Sequence, residues 1–268
     1  MTLWAVDSHV HFHDCFDKGL FFESCFENMS KISYSEIRTG MLFLTEGRNE
    51  DSYNFLRTIH EIKNPLSREI FRIKDIGEGV AIEVKSPPKG MKVIIFPGFQ
   101  IVTKENIEVL SLGTKKRLPD GSSIENTISD VLSLGGIPVL PWGFGKWYGN
   151  RGKKVDELIM KKIPDLFLGD NGGRSSVLPY PTQFNLAEAN GMKILPGSDP
   201  LPFPKEAKRP MSYGFIIKIN FDEKRPWESV KQSLLDESLK IEKFGNLTSL
   251  LTFIKTQIAM QIKKRKKL

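Results

Sequence analysis

Cysteine is almost absent from this chain: Cys15 and Cys25 are the only two in 268 residues. Two cysteines exclude a disulfide framework and fit a reducing compartment. No stretch approaches the roughly 20 apolar residues of a membrane span, and the first residues carry neither a basic leader nor a signal-length apolar run. A cytoplasmic protein without integral membrane association is therefore expected. There is no Gly-x-Ser-x-Gly elbow, and nothing orients Cys15 toward His13 as a nucleophile pair. The loop from Gly143 to Lys154 fails the nucleotide P-loop spacing, because Trp147 stands where a glycine is needed before Gly152-Lys153. Basic charge is also scarcer than it first looks. Of the net +7, Lys263-Lys264-Arg265-Lys266-Lys267 supplies five, leaving +2 for residues 1–262. The body carries no footprint for nucleic acid, so contact with nucleic acid or a membrane surface is expected only through that tail.

Histidine is scarce too, but its distribution is uneven. Three of the four, His9, His11 and His13, lie within five positions, in Asp7-Ser8-His9-Val10-His11-Phe12-His13-Asp14. On an extended strand alternate side chains share a face, which predicts Asp7, His9, His11 and His13 pointing one way. Two imidazoles two residues apart on a strand can both offer a ring nitrogen to one cation. His13, nearer the strand end, is expected to hold a ligand or a substrate rather than the metal. His60 falls on a helix predicted from Asp51 to Lys63 and reads as a surface or capping residue.

A hydrophobic content of 40% and a charged content of 26% describe an ordinary globular chain. Apolar runs predict strands at Leu3–Phe12, Gly40–Thr45, Lys92–Phe96, Ile107–Gly113, Ile137–Leu140, Asp165–Gly169, Lys193–Leu195 and Gly214–Ile219. Helical periodicity alternates with them from residue 122 onward. This pattern implies parallel βαβ units, and the expected fold is α/β, a distorted TIM-type βα barrel of about seven or eight mostly parallel strands. Residues 1–245 form that single barrel, with a hairpin inserted near 69–86. Residues 246–268 form a C-terminal amphipathic helix with a basic tail, its Leu247, Leu250, Leu251, Ile254, Ile258 and Ile262 packed on the body and its end solvated.

In such barrels reactive groups collect at the C-terminal strand ends. Those ends carry the three histidines, Glu46, Gln100, Asp170 and Asp199, with Glu108 inside a strand. Two loops look built for an anion. One combines Lys146 and Arg151 with glycines and aromatics, and the other is Gly172-Gly173-Arg174-Ser175-Ser176. Backbone N–H groups freed by glycine, and the arginine fork, suit phosphate or carboxylate.

The opening Asp7-Ser8-His9-Val10-His11, the later Gly98-Phe99-Gln100 and Leu112-Gly113, the strand Gly135 to Trp142, and the turn Gly197-Ser198-Asp199 resemble the PHP (polymerase-and-histidinol-phosphatase) family. Its members are metal-dependent hydrolases, close in architecture to the amidohydrolases. The resemblance covers roughly residues 3–200 and departs at several ligand positions. Glu46-Gly47 stands where the family has Asp-His, Gln100 replaces a bridging glutamate, and Glu108, Pro141 or Trp142, and Pro200 or Leu201 stand for histidines. It thus implies a reduced site for one or two divalent cations (manganese, zinc, iron or magnesium), held by His9 and His11 with carboxylates from Glu46, Glu108, Asp170 or Asp199. Asp199 is the expected catalytic base for a metal-activated water, and His13, Lys146, Arg151 and Arg174 the expected substrate contacts. The function this implies is hydrolysis of a small anionic substrate, probed first as a phosphoester. The alternative is a non-catalytic ligand-binding or regulatory protein on the same scaffold.

Overall fold

The computed structural model describes residues 2–77 and 79–265; Lys266 and Lys267 of the expected basic tail lie outside them. The chain opens with β1 (Thr2–Val10), whose last seven residues are all buried. Asp17 then caps α1 (Lys18–Ser30) by accepting from Leu20 N at 2.7 Å, and Phe21, Phe22 and Phe26 bury one face of that helix. Each of these rings contributes about 2–3 kcal/mol of burial. Next come β2 (Thr39–Leu44), the short α2 (Ser52–Arg57), β3 (Glu61–Lys63), β4 (Ile70–Ile76), β5 (Ala81–Ser86) and β6 (Met91–Phe96). His60 sits between α2 and β3, because the predicted helix ends at Arg57 and Glu61–Lys63 is extended.

The second half runs β7 (Gly98–Val102), β8 (Glu108–Leu112), α3 (Ile124–Ser133), β9 (Ile137–Pro141), α4 (Asn150–Met160), β10 (Phe167–Asn171), α5 (Thr182–Ala189) and β11 (Ile194–Gly197). After a 3-10 turn at Pro204–Lys208 the chain ends with β12 (Tyr213–Ile219), α6 (Pro226–Leu235), β13 (Glu242–Gly245) and α7 (Leu250–Arg265). No helix among the described residues is long and apolar enough to cross a membrane.

The strands do not close into the expected TIM-type barrel. They form an eight-stranded sheet, ordered β13-β12-β1-β2-β6-β5-β4-β3, and a five-stranded sheet, ordered β11-β10-β9-β8-β7. Seven of the eleven strand pairs run antiparallel, so mostly parallel is also wrong. One reason is connection length. A parallel neighbour needs a crossover of about a dozen residues, and the short links β3–β4, β4–β5, β5–β6 and β7–β8 leave no room for one, which accounts for four of the seven. Parallel pairing is found at β1–β2 and β2–β6 and along β9–β10–β11, whereas β8–β9 and β12–β13 run antiparallel even though α3 and α6 lie between them.

The sheets touch at two seams. At one, Glu46 N donates to Gly98 O and Gln100 N to Glu46 O, both at 2.9 Å. At the other, β11 lies against the end of β1, where Asp199 N donates to His9 O at 2.8 Å. Gly197 makes this approach possible, since a Cβ there would stand 2.5 Å from His9 N. Trp4, Val6, Phe43, Phe96, Leu195 and Trp227 fill the core between the sheets. The C-terminal ends of β1, β2, β10 and β11 therefore converge on one cavity.

Candidate metal centre

The cavity has a volume of about 1010 Å³, and His9, His11, His13, Glu50, Gln100, Glu108, Asn171 and Asp199 stand in it. His9 and His11 face each other with their Nε2 atoms 3.2 Å apart. Asp199 Oδ1 lies 3.6 Å from the first and 3.7 Å from the second. A cation with bonds of about 2.1 Å spaces tetrahedral ligand atoms about 3.4 Å apart. Two neutral imidazoles and one carboxylate at this spacing fit such an ion. A cation between the two nitrogens would also relieve the repulsion of facing lone pairs.

The electrostatics set the two rings apart. Burial lowers the His9 pKa to about 4, against the pull of Asp199, so its ring is neutral at ordinary pH. At His11 burial works the same way, but the Glu50 carboxylate beside the ring and the charges of Asp199 and Glu108 outweigh it and raise the pKa. Asp199 is held at about 2, because His9, His11, Lys146 and Arg209 overcome the cost of its burial. Asn171 Nδ2 donates to its other oxygen, and its backbone takes the left-handed φ of 46° that turns the carboxylate inward.

A second group shares His11. His11 Nδ1 is buried without a hydrogen bond, with Glu50 Oε2 at 3.5 Å. His13 Nδ1 pairs with Glu50 Oε1, and its Nε2 donates to Pro200 O at 3.1 Å. Both His13 nitrogens are thereby committed, and the ring anchors Glu50 rather than offering a lone pair. One neutral imidazole cannot serve two cations, so the His9, His11 and Asp199 set is the stronger of the two groups.

The remaining expected residues divide. Lys146 and Glu108 line the cavity and pair with each other at 2.5 Å, and Arg151, which donates to Gly145 O at 2.9 Å, lines it too. Glu46, Asp170 and Arg174 are not brought to the metal group. Glu46 Oε1 accepts Tyr53 N at 2.6 Å, serving the start of α2, and burial raises its pKa to about 7. Asp170 accepts both arms of Arg174, at 3.0 and 3.1 Å, together with Tyr213 OH at 2.7 Å and Lys243 Nζ at 3.2 Å. Its lone pairs are consumed, and so is the Arg174 fork. Asp7 does not join the histidines either. Its Oδ1 accepts Ser198 N at 2.8 Å and His9 N at 3.3 Å, and its Oδ2 accepts Met211 N at 2.9 Å, fully buried, with a pKa pushed up to about 6 by that burial.

Sequence reasoning missed Glu50 and Arg209. Glu50 lies in the loop after β2, where its closeness to the strand end was the available signal. The C-terminal helix also differs from expectation. Leu250, Leu251, Ile254, Ile258 and Ile262 stay exposed, while Phe253 is buried edge-on to Phe144 at 5.1 Å. That anchor brings Thr256, Gln257, Met260 and Arg265 to the mouth of the cavity.

No family model matches the sequence, and no curated protein matches it. Among solved structures, PsfC from Pseudomonas syringae PB-5123 is similar, with a TM-score of 0.59 at 16% identity over 97% of this chain and 99% of that one. A complex of Endonuclease Q with a 27-mer duplex substrate bearing an abasic lesion at its active site aligns with a TM-score of 0.45 at 11% identity, over 96% of this chain and 67% of that one. The likeness to PsfC is one of fold.

Proposed function

We propose that the cavity is the active site of a metal-dependent hydrolase acting on a small anionic substrate, a phosphoester first of all. The observation that carries this is the convergence of His9 Nε2, His11 Nε2 and Asp199 Oδ1, with ligand atoms within 4.8 Å of one another at the base of a large cavity. The order of motifs that resembles the PHP family supports the same reading, and kinship with that family is part of the proposal. The donor set suits zinc, manganese or iron. When bound, such a cation supplies a water of lowered pKa and neutralises charge on the scissile group.

The chain's own residues then have separate tasks. Asp199, steadied by Asn171, stays anionic at neutral pH and holds the cation. A carboxylate of pKa about 2 is a poor proton acceptor there, so Asp199 is assigned the ligand role rather than that of base. His13 fixes Glu50 beside His11 Nδ1. Arg151 brings positive charge to the wall, the Lys146 charge being paired with Glu108, and Trp142, Phe144 and Phe253 supply its apolar part.

The test is elemental analysis of protein purified without chelator, alongside His9→Ala and His11→Ala, followed by a phosphoester screen. Near-stoichiometric metal in the wild type, lost in both variants, is the expected result. A wild type that holds no metal and takes up none on titration would overturn it. A second reading, ligand binding without turnover, is favoured by one observation: the neutral Gln100 carboxamide, with Oε1 3.1 Å from His11 Nε2, stands where a hydrolase of this type would carry a bridging carboxylate.

A further inference from the structure

Among the described residues three buried side-chain polar atoms have no hydrogen-bond partner: His11 Nδ1, Ser198 Oγ and Arg209 Nε. All three surround the Asp199 turn. A buried polar atom without a partner is costly, so their clustering in one place points to a partner from outside the chain. His11 belongs to the metal group already described. Arg209 does not.

Arg209 follows the 3-10 turn at Pro204–Lys208 and lines the same cavity as Asp199. Its guanidinium is tethered rather than free: one terminal nitrogen donates to Ser198 O at 3.0 Å, and the other reaches Thr248 Oγ1 at 3.5 Å. Nε is left over, with the Glu206 carboxylate 3.5 Å away, a contact of charge without a hydrogen bond. A guanidinium is planar, so fixing its two ends fixes the direction of its remaining donors. Beside it, Asn171, Gly173 and Thr248 also line the cavity.

We propose that Arg209 forms an oxyanion subsite that holds a phosphate-like group of the substrate next to the Asp199 turn. This assigns to Arg209 the role expected of Arg174, whose fork is spent on Asp170. The proposal rests on the hydrolase reading for its substrate, but the subsite is a feature of the chain itself and binds the anion before any turnover.

The experiment is calorimetric titration with inorganic phosphate of chelated protein and of protein reloaded with manganese, comparing wild type, Arg209→Met, Arg209→Lys and the surface control Arg225→Met. Metal content is measured on every reloaded sample. Arg209→Met is expected to weaken phosphate at least tenfold in both forms, about 1.4 kcal/mol. Arg209→Lys, which keeps the charge and loses the fork, is expected to recover part of the loss while the control matches wild type. Unchanged phosphate affinity in Arg209→Met overturns the subsite. So does a loss confined to reloaded protein that has also lost its metal, because the effect then runs through Asp199. Wild type that binds no metal but still binds phosphate in an Arg209-dependent way refutes the hydrolase reading and leaves the subsite standing.

Discussion

Replacing Asp7 tests how the site is held. Its carboxylate accepts three buried backbone N–H groups, from His9, Ser198 and Met211, and so ties the strand that carries the histidines to the turn that carries Asp199. In Asp7→Asn the amide oxygen keeps at most one side of this arrangement, and the new NH₂ faces a backbone donor, which costs about 1–3 kcal/mol. Against this runs the cost of ionising a buried acid. The folded pKa is about 6 against an ordinary 3.8, a raised value, so its contribution to stability is fully present below the lower figure and is lost as pH rises through the higher. Linkage puts that loss at about 1 kcal/mol by about pH 4.5 and about 3 kcal/mol by about pH 7.5. The asparagine variant does not titrate. Its destabilisation relative to wild type should therefore shrink by about 2 kcal/mol between those two conditions. Urea unfolding of both proteins, chelated, at the two pH values measures the difference. A penalty that is constant with pH, or larger at the higher pH, would refute both the assignment of Asp7 as a buried acid and its role as the tie.

His9→Ala and His11→Ala each remove a ligand atom and should weaken metal binding by more than the about 10- to 100-fold cost of losing an outer partner, read by competition with a chromogenic chelator. Metal uptake should fall as pH drops, first through the range where His11 protonates, above its ordinary 6.5, while His9 stays neutral to about 4; uptake that is level across that range would contradict the burial and charge balance of the pair. Gly197→Ala forces a Cβ to within 2.5 Å of His9 N and should cost about 1–3 kcal/mol with a parallel loss of metal affinity. Asp170→Asn strands the buried Arg174 charge and should destabilise by about 3 kcal/mol, seen as a lowered melting temperature, while metal affinity in the folded protein is unchanged.

The part of the site that sequence reveals is the part built from local spacing. His9 and His11 are two residues apart on a strand, and Gly197-Ser198-Asp199 ends another, so both ligand sources were legible. Carboxylates at strand ends look alike in sequence, however, and what separates Asp199 from Glu46 and Asp170 is which distant donors consume them. Tyr213, Arg174 and Lys243 close around Asp170, and the first amides of α2 close around Glu46. Alternation grouped Asp7 with the histidines, but the Ser198 and Met211 amides cover it, and no pattern local to β1 reports that. The fold divided the same way. Helices between β9, β10 and β11 announced parallel pairing correctly, whereas β6 and β8 were read as successive barrel units, and β7, which turns back antiparallel on β8 across a short link, was read only as the end of the strand before it.

The tie between Asp7 and Ser198 spans 191 residues of sequence. A centre whose halves are that far apart does not exist in any partly folded chain that lacks the docked β11. Closing so long a loop is slow, and contacts of this kind form late. Metal added at the start of refolding should therefore leave the early rate unchanged and act on unfolding instead, slowing it in proportion to occupancy. An ion bound there would then act as a latch on the finished protein, and protein deprived of it would be lost to proteolysis sooner.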